Sequence, residues 1–230
     1  MARGPLMLRL ARWHIWLGWL VGVPLLLWTA SGLFMALRPI EEVRGDALRL
    51  KPPAQTIPAG AALLARIGAV DGVTEVTQRM EGGALIAVYT FADGRQTRYS
   101  PTPQAAEQSL LSEADARAIV ARAIRGGNNV VRVRSFDAAH APGDFRKPVA
   151  VWQVSLADGT HVYVGRSSGR IEAVRTRWWR IYDFMWGLHI MDLQTREDTS
   201  SPVLIAFAAL ALIGSILGTA LLFRRRKARR

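Results

Sequence analysis

From Trp13 to Leu37 the chain runs 25 residues without Asp, Glu, Lys or Arg. As a helix rising 1.5 Å per residue, such a run is about 37 Å long, enough to cross a bilayer with some tilt. A second uncharged run, 21 residues from Val203 to Phe223, stops at Arg224-Arg225-Arg226-Lys227. Signal-peptide cores are only about 7–15 apolar residues long, and the first run opens on the bulky Trp13-His14-Ile15-Trp16. It is therefore expected to be a retained anchor. Arg3, Arg9 and Arg12 precede the first run, and six basic residues follow the second, with no acid in either flank. Positive flanks stay on the cytoplasmic side, so both termini are expected there and residues 38 to about 200 across the membrane.

Between the spans the periodicity changes from 3.6 to 2. Ala92-Asp93-Gly94 separates the β-like runs Leu85–Phe91 and Arg95–Ser100, and Ala157-Asp158-Gly159 separates Val149–Leu156 from Thr160–Gly165. Asp-Gly between alternating apolar runs is a strong hairpin signal, and it recurs here after 65 residues. Each hairpin follows a helix-like stretch and a strand-like run: Pro58 to Ile67 with Val73–Met80, then Ser112 to Ile124 with Val130–Phe136. Ser112-Glu113-Ala114-Asp115 is a variant of the capping box, and Gly126-Gly127-Asn128 stops the second helix.

The expected order is a cytoplasmic N-terminus (1–12), a first span (13–37), and a first helix-on-sheet unit with its linkers (38–110). A second unit (111–176), an aromatic amphipathic helix at the membrane interface (177–193), a connector (194–202), a second span (203–223) and a basic tail (224–230) follow. The fold class is thus membrane α plus α+β, with two transmembrane helices flanking a tandem helix-on-antiparallel-sheet domain.

Composition narrows the function. The formal net charge is +12, but 9 of the 30 basic residues sit at the two ends; the remaining 21 face 18 acids, a net +3. The excess marks membrane flanks, and nucleic acid is not expected as a partner. The absence of cysteine excludes thiolate metal sites, iron–sulfur clusters and disulfides. No nucleophile triad, H-E-x-x-H pair, P-loop or Rossmann glycine pattern is present. Glu41-Glu42 and Arg196-Glu197-Asp198 read as solvated charges.

Of the four histidines, His140 and His161 fall in a loop and a hairpin strand and read as ordinary surface positions. His14 and His189 lie in aromatic, membrane-proximal settings, where an ionisable group raises a functional question. Neutral imidazole suits axial ligation of haem iron. Gly18 and Gly22 follow His14 at intervals of four, so the three share a helix face against which a flat macrocycle could pack. The bland reading of Gly18-x-x-x-Gly22 is a helix-packing motif, and Gly214-x-x-x-Gly218 in the second span lies at the same depth. Together these pairs suit packing within the chain or in a homodimer. His14 and His189 are expected at opposite faces of the membrane, roughly 30 Å of hydrocarbon apart, so a dimer pairing like with like would be needed to ligate two haems.

These residues resemble the family of PepSY-domain proteins with associated transmembrane helices. The likeness rests on His14, Trp16-Leu17-Gly18 and Ser31-Gly32 behind Arg9 and Arg12, and on Trp186-Gly187-Leu188-His189 ahead of Leu217-Gly218. Between them Leu111 to Ala116, Trp152, Ala157-Asp158-Gly159, Val162-Tyr163 and Gly169 look like a PepSY domain. The resemblance implies a cystatin-like periplasmic domain on a bacterial inner-membrane protein. Larger members reduce ferric siderophores with haem on such histidines, which carries over to His14 and His189 alone. With two spans and no flavin or nicotinamide domain, the chain is expected to be a haem b electron-transfer component in iron uptake. It would work as a homodimer or with a reductase or siderophore-uptake partner, and not as a self-sufficient enzyme. The same domain also occurs as an inhibitory module of peptidase precursors, so the alternative is a non-redox periplasmic module that regulates a peptidase or other envelope protein.

Overall fold

The computed structural model describes residues 5–50, 57, 71–81, 84–99 and 110–227. The chain divides into two compact units, residues 1–40 with 180–230, and residues 41–179.

The first unit is helical. Helix α1 (Pro5–Ala36) and the last helix, α5 (Pro202–Lys227), are both long and apolar enough to cross a membrane. The less exposed positions along α1 include Met7, Leu10, His14, Leu17, Val21, Pro24, Ser31 and Met35. Their spacing of three and four is that of a left-handed helix seam. The matching positions on α5 are Leu204, Phe207, Ala211, Gly214, Gly218 and Leu221. His14 near the start of α1 meets Gly218 near the end of α5, so the two helices run antiparallel and both termini lie at one end of the pair. Pro24 sits inside α1, where it removes the hydrogen bond to the Leu20 carbonyl. Beside it Pro24, Trp28, Phe207 and Ser215 help to line an almost wholly apolar cleft of about 300 Å³.

The second unit contains two antiparallel sheets. In the first, β1 (Val73–Glu81), β2 (Ala84–Phe91) and β3 (Gln96–Tyr99) form a meander. Leu85, Ala87 and Tyr89 are its buried centre, with Val76, Met80 and Tyr99 against them. The helix expected at Pro58 to Ile67 and the linker at Pro101 to Gln108 lie outside the described residues. The second sheet has the order β4 (Val130–Phe136), β5 (Val151–Leu156), β6 (His161–Gly165), β7 (Ile171–Arg175). Both Asp-Gly hairpins have the same construction. Gly94 and Gly159 take φ of 80° and 81°, a region that glycine enters without a Cβ penalty. The Asp93 and Asp158 carboxylates accept from the N–H two residues on, at 2.9 and 2.8 Å.

Two short turns of helix, α2 (Ile40–Arg44) and a 3₁₀ turn at Asp46–Leu48, lead into this unit. Helix α3 (Glu113–Ala123) starts at a complete capping box: the Ser112 hydroxyl accepts from Asp115 N–H at 3.1 Å, and the Asp115 carboxylate accepts from Ser112 N–H at 3.2 Å. Its apolar face (Ala116, Val120) and Ile124 pack on Val154, Leu156, Val162, Val164 and Val174, which alternate along β5, β6 and β7. The Trp152 indole donates to the Leu111 carbonyl at 2.6 Å and fixes the approach to the helix. Strand β7, which the alternation pattern does not announce, completes the sheet. The 14 residues between β4 and β5, where only two separate β1 from β2 in the first sheet, fold over the opposite sheet face and bury Phe145 against Tyr163.

Behind α3 the chain turns so closely at Gly127 that a Cβ there would overlap the Val120 carbonyl. Gly127→Ala should therefore destabilise the unit by about 2–4 kcal/mol, in the range of backbone strain combined with overpacking. Chemical denaturation followed by far-UV circular dichroism checks it, with Gly143→Ala, where a Cβ meets nothing within 4 Å, as the neutral control.

Candidate functional site

The histidines singled out by the sequence both lie in the helical unit and have different surroundings. Helix α4 (Arg177–His189) ends on His189. Its ring stacks on Trp28 of α1, with centroids 5.0 Å apart and planes 13° from parallel. His189 Nδ1 lies 3.1 Å from the Trp28 carbonyl oxygen and 3.2 Å from Ser31 Oγ, while the Ser31 hydroxyl donates to that same carbonyl at 2.9 Å. A carbonyl only accepts, and the serine proton is already committed, so the proton between them belongs to Nδ1. In the neutral ring Nε2 then carries the lone pair, and it makes no hydrogen bond among the described residues. Ser31 is 1% exposed, and a Cβ on Gly32 would stand 3.1 Å from His189 Cε1. Ser31-Gly32 is thus the seat of His189.

His14 lacks such support. Its Nδ1 is enclosed without a hydrogen-bond partner, and its ring fills the space that Gly218 leaves, 2.9 Å from where a Cβ would stand. An orphaned nitrogen among apolar side chains costs roughly 1–3 kcal/mol. Ser31 follows His14 by seventeen residues on α1, about 25 Å of helix, so the two histidines serve separate positions. Among the described residues no three His, Cys, Asp or Glu side chains gather as a metal site, which leaves each histidine as a single donor.

The glycine pairs differ in burial: Gly214 is buried and Gly218 half-buried, whereas Gly18 and Gly22 are exposed. A Cβ would meet nothing within 4 Å at Gly18, Gly22 or Gly214, and only at Gly218 would it meet a side chain, that of His14. Gly218 is occupied by His14 inside the chain, and Gly18 and Gly22 are left on an open face of α1.

The loop after His189 locks the end of α4. Met191, in the left-handed region at φ 55°, and Asp192 return their N–H groups to Leu188 and Gly187 carbonyls at 3.3 and 3.0 Å, a Schellman closure with methionine where glycine is usual. Arg196, read from sequence as a solvated charge, instead pairs with the buried Asp183. The Trp186 indole donates to the Arg196 carbonyl at 3.1 Å. Gly187 is required because a Cβ would come within 2.9 Å of Arg196 Cγ. Asp183, Trp186 and Gly187 stand nine or more residues before Arg196, and no local pattern announces their contacts with it.

His161 also departs from its surface reading. Its Nδ1 is 3.0 Å from Asp144 Oδ2, the Tyr163 hydroxyl donates to Asp144 Oδ1 at 2.5 Å, and Gln153 Nε2 donates to Tyr163 at 2.6 Å. Burial pushes the Asp144 carboxyl up, but the hydrogen bonds from His161 and Tyr163 outweigh it and hold it below the usual carboxylate range. The same burial, with Asp144 alongside, raises Tyr163. The network clips the loop bearing Asp144 to the sheet.

The family profile described as PepSY-associated TM region matches residues 11–230. No curated protein and no solved structure matches the chain. The chain belongs to that family and is a membrane protein, and the matched range takes in both long apolar helices, both histidines and the sheets between.

The Asp192 carboxylate organises the loop that follows it. Oδ1 accepts from the N–H of Gln194 and Thr195 at 3.1 and 3.0 Å; Oδ2 accepts from Glu197 and Asp198 N–H at 3.1 and 3.2 Å and from the Thr195 hydroxyl. The Thr195 hydroxyl first, then these N–H groups, hold the carboxyl well below its ordinary value. Its folded-state value being depressed, the order it gives is fully present above the unfolded value of ~3.9 and is lost only as pH falls through the lower folded one. Amide exchange of 194–198 should therefore stay protected down to about pH 4. Asp192→Asn should release Glu197 and Asp198 while Gln194 and Thr195 remain protected; mass-spectrometric exchange with residue resolution checks it.

Proposed function

We propose that this member of the PepSY-associated transmembrane family is a haem-binding electron-transfer component of the bacterial inner membrane, linked to the reduction of iron or ferric siderophores. The observation that carries the reading is the seat of His189, an imidazole whose Nδ1–H is anchored by the Trp28 carbonyl and Ser31 while Nε2 is left as a donor. Metal-ligating histidines are oriented in this way, their second nitrogen held by a carbonyl or carboxylate that also raises ligand basicity. His189 therefore fits an axial ligand of haem b. His14 offers a less oriented ring with an orphaned nitrogen, and the bare face at Gly18 and Gly22 leaves room beside it for a flat group. A haem at either position would supply a one-electron carrier.

The work of the chain is to hold and separate the donors. With about 25 Å of helix between their levels, His14 and His189 belong to two groups, one near each membrane face. A homodimer joined along the Gly18/Gly22 face would hold each group between the same histidine of its two copies. In this reading the termini are cytoplasmic, the sheets form a cystatin-like periplasmic domain, and electrons cross the membrane to an acceptor outside. In the same reading the electron donor is a partner reductase. The non-redox alternative, a periplasmic module regulating a peptidase or another envelope protein, requires no haem.

Visible spectra of the protein purified in detergent after expression with ample haem decide between them. A sharp Soret band with reduced α and β bands is expected, at one haem per chain, with about half the haem lost in His14→Ala or His189→Ala and all of it in the double variant. A colourless protein contradicts the redox reading and leaves the alternative.

A further inference from the structure

Strand β4 lies at the edge of the four-stranded sheet and pairs only with β5. Among the described residues its outer side receives no backbone hydrogen bond. Such an edge is a template for another strand, and proteins that leave one open usually blunt it. The register fixes what stands along it. Arg132 lies opposite Ser155, which lies opposite His161; Arg134 lies opposite Gln153, which lies opposite Tyr163. Directly opposed residues share a face, so both arginines are on the face away from α3, with Val133 turned between them into the core.

Arg132 and Arg134 are exposed and make no hydrogen bond or ion pair among the described residues. The acid on this face, Asp144, is held by His161 and Tyr163, and Asp137 at the end of the strand is paired with Arg166 at 3.2 Å. Among the described residues, two like charges two residues apart on this edge thus stand uncompensated. That charge selects the occupant. A second copy pairing β4 with β4 would bring arginine against arginine, which is destabilising.

We propose that the edge of β4 docks an extended acidic segment of another protein. The segment adds as a fifth strand by main-chain hydrogen bonds and sets carboxylates at alternate positions against Arg132 and Arg134. Strand addition of this kind draws affinity from the backbone and specificity from alternate side chains, and a strand places every second side chain on one face, in step with the two arginines. The bulge at Val131, between the pairs Val130–Leu156 and Arg132–Ser155, ends the straight part of the edge and sets where the added strand begins. The proposal does not rest on the haem reading, and its test does not involve haem.

The probe is a fluorescein-labelled ten-residue peptide in which Glu alternates with Val and Thr, titrated at low salt against the full chain in phosphatidylcholine nanodiscs. Anisotropy should show saturable binding, retained by Arg132→Lys/Arg134→Lys. Arg132→Glu/Arg134→Glu should weaken it at least tenfold and bind instead the peptide with Lys in place of Glu. The acidic peptide N-methylated at every amide should not bind. Absence of saturable binding, indifference to the charge reversal, or equal binding of the N-methylated peptide would each overturn the proposal; in those cases the arginines only guard the edge against aggregation.

Discussion

The helical unit turns on one point where polar atoms of two helices find partners in one another. The Trp28 carbonyl, Ser31 and His189 meet there, since one carbonyl oxygen accepts both the serine proton and the Nδ1 proton. The serine hydroxyl can approach because it is nearly fully buried on the α1 seam, and the imidazole because position 32 has no Cβ. Loss of any member leaves a buried donor or acceptor unmatched, so the three hold one another in a single arrangement. The Schellman closure, the Asp183–Arg196 pair and the Asp192 cage then fix where α4 ends. That position, and not the chemistry of histidine alone, brings the ring against Trp28.

The second unit separates packing from surface chemistry by the two faces of one sheet. One face is a valine layer under α3; the other carries Gln153, His161, Tyr163 and the two exposed arginines of β4. A period of two lets five-residue strands do both. The long β4–β5 connection covers the polar face beneath Phe145 and Asp144, and it leaves the β4 margin open.

What could be read in the sequence was mostly local. Uninterrupted apolar runs, Asp-Gly between alternating strands and Ser112-x-x-Asp115 each act over a few residues, and their counterparts stand at α1, α5, both hairpins and the start of α3. The Gly18-x-x-x-Gly22 spacing was legible too, but it did not say which way the face points; the seam instead follows the repeat of three and four through His14, Val21 and Ser31, which turns those glycines outward. The seat of His189 joins residues 158 and 161 apart, and Asp144 reaches His161 across a connection with no pattern of its own. Such pairs become visible only once the chain has folded. Arg196 looked solvated because its buried partner, Asp183, lies 13 residues away on a helix.

The central claim is that α1 fixes His189 as the Nδ1–H tautomer, with Nε2 free to ligate. Nitrogen-15 NMR of histidine-labelled, haem-free protein in nanodiscs, assigned with His189→Gln, reads this directly. The account predicts a protonated Nδ1 and an unprotonated Nε2 for His189 near neutral pH, with that preference lost when Gly32→Val fills the seat. A neutral His189 ring with its proton on Nε2 would contradict it, because the Trp28 carbonyl would then face an unprotonated Nδ1.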